Sequence, residues 1–268
     1  MKGQTLLEAL KSIFVIAIIL LCFLAGWLIW SRVMGNPINF EGGNPEGTVI
    51  QGNYLGIIYK GGFVVPVLIA VNLISITFAL ERLFMLGKAN GRGNIVNFVR
   101  KLQDLLDKDK IEEAQQLCDK QKGSLANVMK AALQRYRELQ SDKTLENDQK
   151  VVSLQKHLEE ATALELPVLS RNISIIATIV SASVLIGLFG TVLGMIRAFG
   201  ALATAGAPDA IALSTGISEA LINTAFGIAG STISLIFYNY FTSRIDGMTF
   251  KIDEAGFSLI QTFASSLK

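Results

Sequence analysis

GISEALINTAFGIAGSTISLIFYNYF, residues 216–241, carries a single formal charge, the carboxylate of Glu219. Ala220–Ser243 downstream is uncharged, and so is Ala210–Ser218 upstream. An apolar stretch of this length reads as a helix through a bilayer, which needs about 20 residues. A charged side chain at the centre of such a helix costs about 2.5–3.5 kcal/mol even on the lenient insertion scale. Asn223 and Thr224 lie close by on the same segment. A membrane helix that keeps three such groups together has a use for them other than contact with lipid.

Three other stretches are charge-free over similar lengths: Ser12–Ser31, Gly61–Leu80 and Asn172–Ile196. The chain is 51% hydrophobic and 17% charged, against about 25% charged in soluble domains. Four membrane helices in an all-α, polytopic membrane protein with a cytoplasmic helical bundle are the reading that follows. The net charge is only +2, yet 15 of the 24 Lys and Arg residues fall between Gly87 and Arg171. Val33–Gly62 carries only Lys60, and Gly200–Ile211 has no base. Positive charge stays on the cytoplasmic side of a membrane. The long middle region and both termini (Lys2 and Lys11; Arg244, Lys251 and Lys268) are therefore expected in the cytoplasm.

The first apolar run also invites a reading as a signal peptide. It exceeds the 7–15 residues of a signal core, and LAGWLIWSRV at its end lacks an A-x-A cleavage pattern. Trp27 and Trp30 instead fit an interfacial aromatic belt, so a retained helix is expected. Cys22 in the membrane and Cys118 in the middle region face different environments, which implies no disulfide framework.

MGNPINFEGGNPEGTVIQGNYLG, between the first two apolar runs, has the chemistry of a loop, and EGGNPEG does not match the spacing of a calcium loop. The middle region is helical by period. Ile95, Phe98, Val99, Leu102, Leu105 and Leu106 form one stripe. Ile111, Ala114, Leu117 and Cys118 form a second, after the turn at DKDK. Leu125, Val128, Met129, Ala132, Leu133 and Tyr136 form a third. A fourth stretch, Leu145–Leu166, leads to Pro167. The bases here alternate with acids, as in KDKIEE, which indicates solvated helix faces and not a nucleic-acid surface. Beyond Arg244, the series Ile245, Met248, Ile252, Ala255, Leu259, Phe263 continues the last helix as an amphipathic tail.

The expected organisation is thus a membrane helix over 1–32, an outer loop over 33–62 and a second membrane helix over 63–86. A cytoplasmic helical region follows over 87–171, then a membrane pair over 172–243 and a cytoplasmic tail over 244–268.

His157 is the only histidine and lies on a polar helix, which excludes zinc sites built on histidine pairs and makes a hydrolytic triad a poor reading. KANGRGN (88–94) has glycines but no G-K-[ST], so it is not a P-loop. No enzyme activity, cofactor or metal is expected.

The third and fourth apolar segments differ from the first two. Gly187, Gly190 and Gly194 include a G-x-x-x-G pair suited to close helix packing, and Gly227 and Gly230 extend the same theme to the fourth. Ser174, Thr178, Ser181 and Leu185 share one face of the third helix, and Thr224, Gly227, Ser231 and Ser234 one face of the fourth. Packing accounts for the glycines. It does not account for Glu219, whose carboxyl must be either neutral or paired, with Arg197 toward the same outer side as the available partner.

GLFGTVLGMIRAF (187–199) followed by GISEALINTAFGIAGSTISLIFYNYF closely resembles the ExbB/TolQ branch of the MotA/TolQ/ExbB proton-channel family, and the likeness reaches back through LEEATALELPVLSRNISIIATI. The first 60 residues do not contribute to it. Family members usually have three membrane helices, although flagellar MotA has four. The family usually continues into Ala-Ile-Pro-Ala where this chain has GSTIS (230–234).

The resemblance implies a subunit of a proton-driven motor in the inner membrane of a Gram-negative bacterium. It implies a homo-pentamer around ExbD-like single-span helices that supply the titrating Asp, with energy passed to a TonB-like protein. By motif it also implies that Thr178, Glu219 and Thr224 line the proton pathway, which Ser181, on the same helix face as Thr178, is expected to join. A TolQ-like envelope-maintenance protein, a MotA-like stator and a non-conducting scaffold are the competing readings.

Overall fold

Helix follows from the sequence wherever an apolar stripe is long enough to be buried, and the computed structural model is built almost entirely in this way. It describes residues 2–45, 47–204 and 210–267, with side chains described from residue 13 onward and not at 203 or 204. The helices are α1 (Lys2–Leu28), α2 (Tyr54–Tyr59), α3 (Val64–Ala89), α4 (Ile95–Leu106), α5 (Ile111–Gln121), α6 (Ser124–Ser141), α7 (Asn147–Ser170), α8 (Ile173–Thr204) and α9 (Ala210–Ser266). Among the described residues there is no strand, only an isolated bridge between Phe40 and Val49. Four stretches are long and apolar enough to cross a bilayer: Ile13–Met34, Val64–Ala89, Ile173–Leu202 and the helix Ala210–Ser266. The protein is an all-α polytopic membrane protein. Lys2, Lys11, Lys268 and part of EGGNPEG lie outside the residues whose side chains are described.

The chain divides into two compact units. One comprises Met1–Ala79 and Ser174–Tyr238, the other Leu80–Ile173 and Asn239–Lys268.

In the first unit, α1 ends in a π-helical turn, Ile29–Met34, closed by the Gly35 amide on the Trp30 carbonyl at 2.9 Å. The cause is aromatic. Trp30 stacks on Tyr59 at 4.7 Å and its indole N–H donates to the Tyr59 carbonyl. Gly35 fits beneath the same ring, where a Cβ would lie 2.6 Å from Tyr59 Cε2. The segment that follows is more ordered than its loop-like composition suggests. Asn39 is buried and donates to the carbonyls of Val33 and Met34, satisfying the end of the helix. Asn53 donates to the Asn39 side chain and caps α2 by accepting from the Gly56 amide.

In the second unit, the stripes of α4, α5 and α6 meet α7 and the end of α9. Leu102, Leu106, Ala114, Met129, Leu133, Leu154 and Leu259 are fully buried in one core. Tyr136 packs on Phe263 at 4.6 Å, and its hydroxyl donates to Asp109 and is in hydrogen-bond contact with the Ser266 hydroxyl, both at 3.2 Å. Pro167 does not end α7, which continues to Ser170. The break comes at Asn172, with φ of 58°, in a left-handed conformation that Asn tolerates better than most residues.

Cys118 lies in this core. Burial pushes its thiol from an ordinary 9.0 up to about 12, with the Asp119 carboxylate adding to the rise and Lys130 opposing it. The folded protein keeps the thiol neutral where the unfolded chain ionises it. The associated stabilisation is complete below pH 9 and is lost progressively as pH rises from 9 toward 12. Because the thiolate is the nucleophile, we expect iodoacetamide at pH 8 to leave Cys118 of a Cys22→Ala variant unmodified until denaturant is added. Labelling of the folded protein at the rate of a free thiol would refute the burial.

Candidate functional site

Residues 219, 223, 227, 230 and 234 of α9 are spaced so that they share one face of the helix. That face is where α9 meets the rest of the first unit, because Glu219, Asn223, Gly227, Gly230 and Ser234 are all buried.

The α8–α9 contact is set by glycines. A Cβ on Gly227 would lie 2.7 Å from the Ser183 carbonyl oxygen and 2.9 Å from Gly187 Cα. On Gly190 it would meet the Asn223 side chain at 2.6 Å, and on Gly194 the Gly216 carbonyl oxygen at 2.8 Å. Gly230 faces the polar ends of Asn72 and Ser183, with a Cβ 2.2 Å from Asn72 Oδ1. The small residues let the backbones approach, and the approach brings the polar groups together.

Glu219 is 5% exposed and accepts from Arg197 Nη1 at 2.6 Å. The arginine side chain is 52% exposed, and its guanidinium lies over the Phe63 ring at 5.8 Å. Of the two alternatives left by the sequence, the structure contains the pair. Gly62 makes room for it. With φ of +78° it adopts a conformation that L residues avoid, and a Cβ there would fall 2.3 Å from Glu219 Oε1. One turn further along α9, Asn223 donates to the Gly61 carbonyl at 3.0 Å. Thr224 is in hydrogen-bond contact with Thr191, and both hydroxyls reach the Ala220 carbonyl, at 3.2 and 3.3 Å. Deeper along the same face, Ser234 and Ser75 share a hydrogen bond of 2.7 Å. Ser183 Oγ and Asn223 Oδ1 are buried without a partner, which leaves this face able to accept hydrogen bonds from a water.

The structure brings Glu219, Arg197 and Thr224 into one neighbourhood and holds Thr178 and Ser181 apart from it. Those two are exposed on α8, bonded to their own helix through the Ser174 and Thr178 carbonyls. Thr178 precedes Thr191 by about 20 Å of helix. Thr191, Asn72 and the Gly61–Gly62 pair were not singled out from the sequence. Thr191 lies inside the GTVLG motif, but its pairing with Thr224 depends on the register of two antiparallel helices, which residue spacing within either helix does not specify.

A profile of the MotA/TolQ/ExbB proton channel family matches residues 120–254, half of the chain. The chain belongs to the MotA/TolQ/ExbB family. Among its relatives is an ExbB-like biopolymer transport protein of Synechocystis, 42% identical over 88 residues, which are 32% of this chain and 42% of the relative. TolQ of the Pseudomonas aeruginosa Tol-Pal system is 30% identical over 117 residues, 44% of this chain and 51% of the relative. An ExbB homologue of Methanothermobacter thermautotrophicus is 25% identical over 202 residues, 75% of this chain and 67% of the relative. The chain thus spans about half, or less, of the length of the first two relatives. The profile includes every residue of the Glu219, Arg197 and Thr191–Thr224 neighbourhood that lies on α8 and α9.

Proposed function

We propose that the chain is the proton-channel subunit of an ExbB–ExbD-type motor that uses the proton motive force to energise TonB-dependent transport. On this reading several copies, a pentamer by resemblance, surround an ExbD-like single-span partner in the inner membrane, with both termini in the cytoplasm. Segments 33–62 lie outside, 87–171 and 244–268 inside, and 172–243 form the channel wall.

The observation that carries the reading is Glu219, a carboxylate buried in a membrane-grade helix of a proton-channel family member and paired with one half-exposed arginine. A packing helix has no need of such a group. The partner's acid delivers protons to the hydroxyl pair Thr191–Thr224 and to Glu219, and Arg197 holds the carboxylate charge between transfers. Thr178 and Ser181, open on the surface of the single chain, face the partner lower in the pore.

The similarity to TolQ over 117 residues favours, as a second reading, an envelope-maintenance motor of the same chemistry.

The test is reconstitution in liposomes with a single-span partner bearing a membrane Asp, reading proton entry with a pH-sensitive dye under an imposed gradient. Flux is expected only when both proteins are present. Intact oligomers without flux would establish a scaffold instead. Whether an ExbD-like or a TolR-like protein copurifies separates the two motors.

A further inference from the structure

KANGRGN, set aside as a P-loop, builds a different feature. Gly91 and Gly123, both at positive φ, cross so closely that a Cβ on Gly91 would lie 2.2 Å from the Lys122 carbonyl oxygen and one on Gly123 2.4 Å from that of Ala89. The Arg92 amide donates to the Gln121 carbonyl at 2.6 Å and ties the two loops together. The crossing fixes the walls of a cavity of about 560 Å³ within the second unit. Lys88, Arg92 and Lys122 line it together with Glu165, Met85 and Val168. Among the described residues no carboxylate lies within ion-pair distance of any of the three bases. The amino end of α6 also opens here without a side-chain cap, leaving N–H groups directed toward negative charge.

We propose that this cavity holds the phosphate headgroup of an acidic phospholipid. Three exposed bases beside one carboxylate, Glu165, on a frame fixed by the glycine crossing give the cavity a net positive lining that suits an anion. Its source follows from the surroundings. The cavity is built on the last turn of a membrane-grade helix, Val64–Ala89, and on residues just before the next, Ile173–Leu202. Met85 and Val168 at its edge are 38% and 50% exposed, as suits contact with the first methylenes of an acyl chain. Glu165, held by the Asn127 side chain at 3.0 Å, disfavours a multiply charged free phosphate but accepts from the hydroxyls of a glycerol headgroup. Basic pockets beside membrane helices recognise lipids in this way. The site stands independently of proton conduction.

Native mass spectrometry of the full chain in detergent, titrated with phosphatidylglycerol or phosphatidylcholine, tests it. One phosphatidylglycerol per chain is expected to be retained, and phosphatidylcholine is not. The triple variant Lys88→Gln, Arg92→Gln, Lys122→Gln is expected to raise the half-saturating phosphatidylglycerol about a hundredfold, and Arg92→Gln alone about fivefold. The single variant keeps the test valid if the triple variant fails to fold. Lys101→Gln, Lys108→Gln, Lys143→Gln, which removes the same charge elsewhere, is expected to change nothing. Equal retention of both lipids, or wild-type affinity in the triple variant, overturns the proposal. Displacement of the lipid by millimolar inorganic phosphate would also overturn it, assigning the cavity to a soluble anion.

Discussion

Glu219→Ala is expected to reduce partner-dependent proton flux to that of liposomes lacking the partner, while oligomers still form. The two ends of the ion pair are not equivalent. Arg197 is half exposed and can keep its charge solvated when the carboxylate is removed, so Glu219→Ala has a modest structural cost. Arg197→Ala leaves a carboxylate that is 5% exposed with no cation beside it, a change that costs about 3 kcal/mol. The double variant Glu219→Gln, Arg197→Gln separates structure from conduction. It removes the uncompensated charge, so assembly and thermal stability are expected to recover toward wild type while flux stays absent. Recovery of flux together with stability would show that the pair only holds helices together. Unchanged flux in both Glu219→Ala and Thr178→Val would refute the pore assignment as a whole.

The second large effect is steric. Gly227→Leu is expected to destabilise the protein by about 4 kcal/mol or more, read as loss of monodisperse protein and of its thermal transition. The first atom of any side chain there already falls 2.7 Å from the Ser183 carbonyl oxygen and 2.9 Å from Gly187 Cα. Both obstacles are backbone, so no rotamer relieves them. The Thr191–Thr224 contact and the Glu219 pocket depend on the same approach and would be lost with it. Gly247 is the control. It lies in the same helix with nothing within 4 Å of its Cβ position, and Gly247→Ala is expected to stabilise by about 1 kcal/mol through helix propensity alone. Equal tolerance at both positions would show that α8 and α9 do not pack through their glycines.

Helix content and membrane character were legible because both are local. A 3.6-residue stripe reports its own buried face, and residues such as Phe98, Leu133 and Leu259, named from period alone, are buried. The end of α7 was less legible. Pro167 is the stronger stop signal in isolation, since it removes one helical bond and crowds the carbonyl four residues back, yet α7 continues past it and the chain turns at Asn172. The site was half legible. Glu219 is conspicuous because charge in an apolar run has no local excuse, and Arg197 follows from topology. Thr191, Asn72 and Gly62 look ordinary in sequence and acquire meaning only across helices. The hydroxyls of Thr178 and Ser181 stand out by spacing, yet in the single chain both residues are exposed and bond the carbonyls of their own helix, so residue spacing alone does not tie them to the Glu219 neighbourhood.

Ser234 has a mechanical consequence. Ser234 bonds both the Gly230 carbonyl behind it, at 2.8 Å, and Ser75 on α3, and α9 runs uninterrupted from Ala210 to Ser266. The hydroxyl bond ties this turn of α9 to α3 within the first unit, so the two helices are expected to shift together at that level.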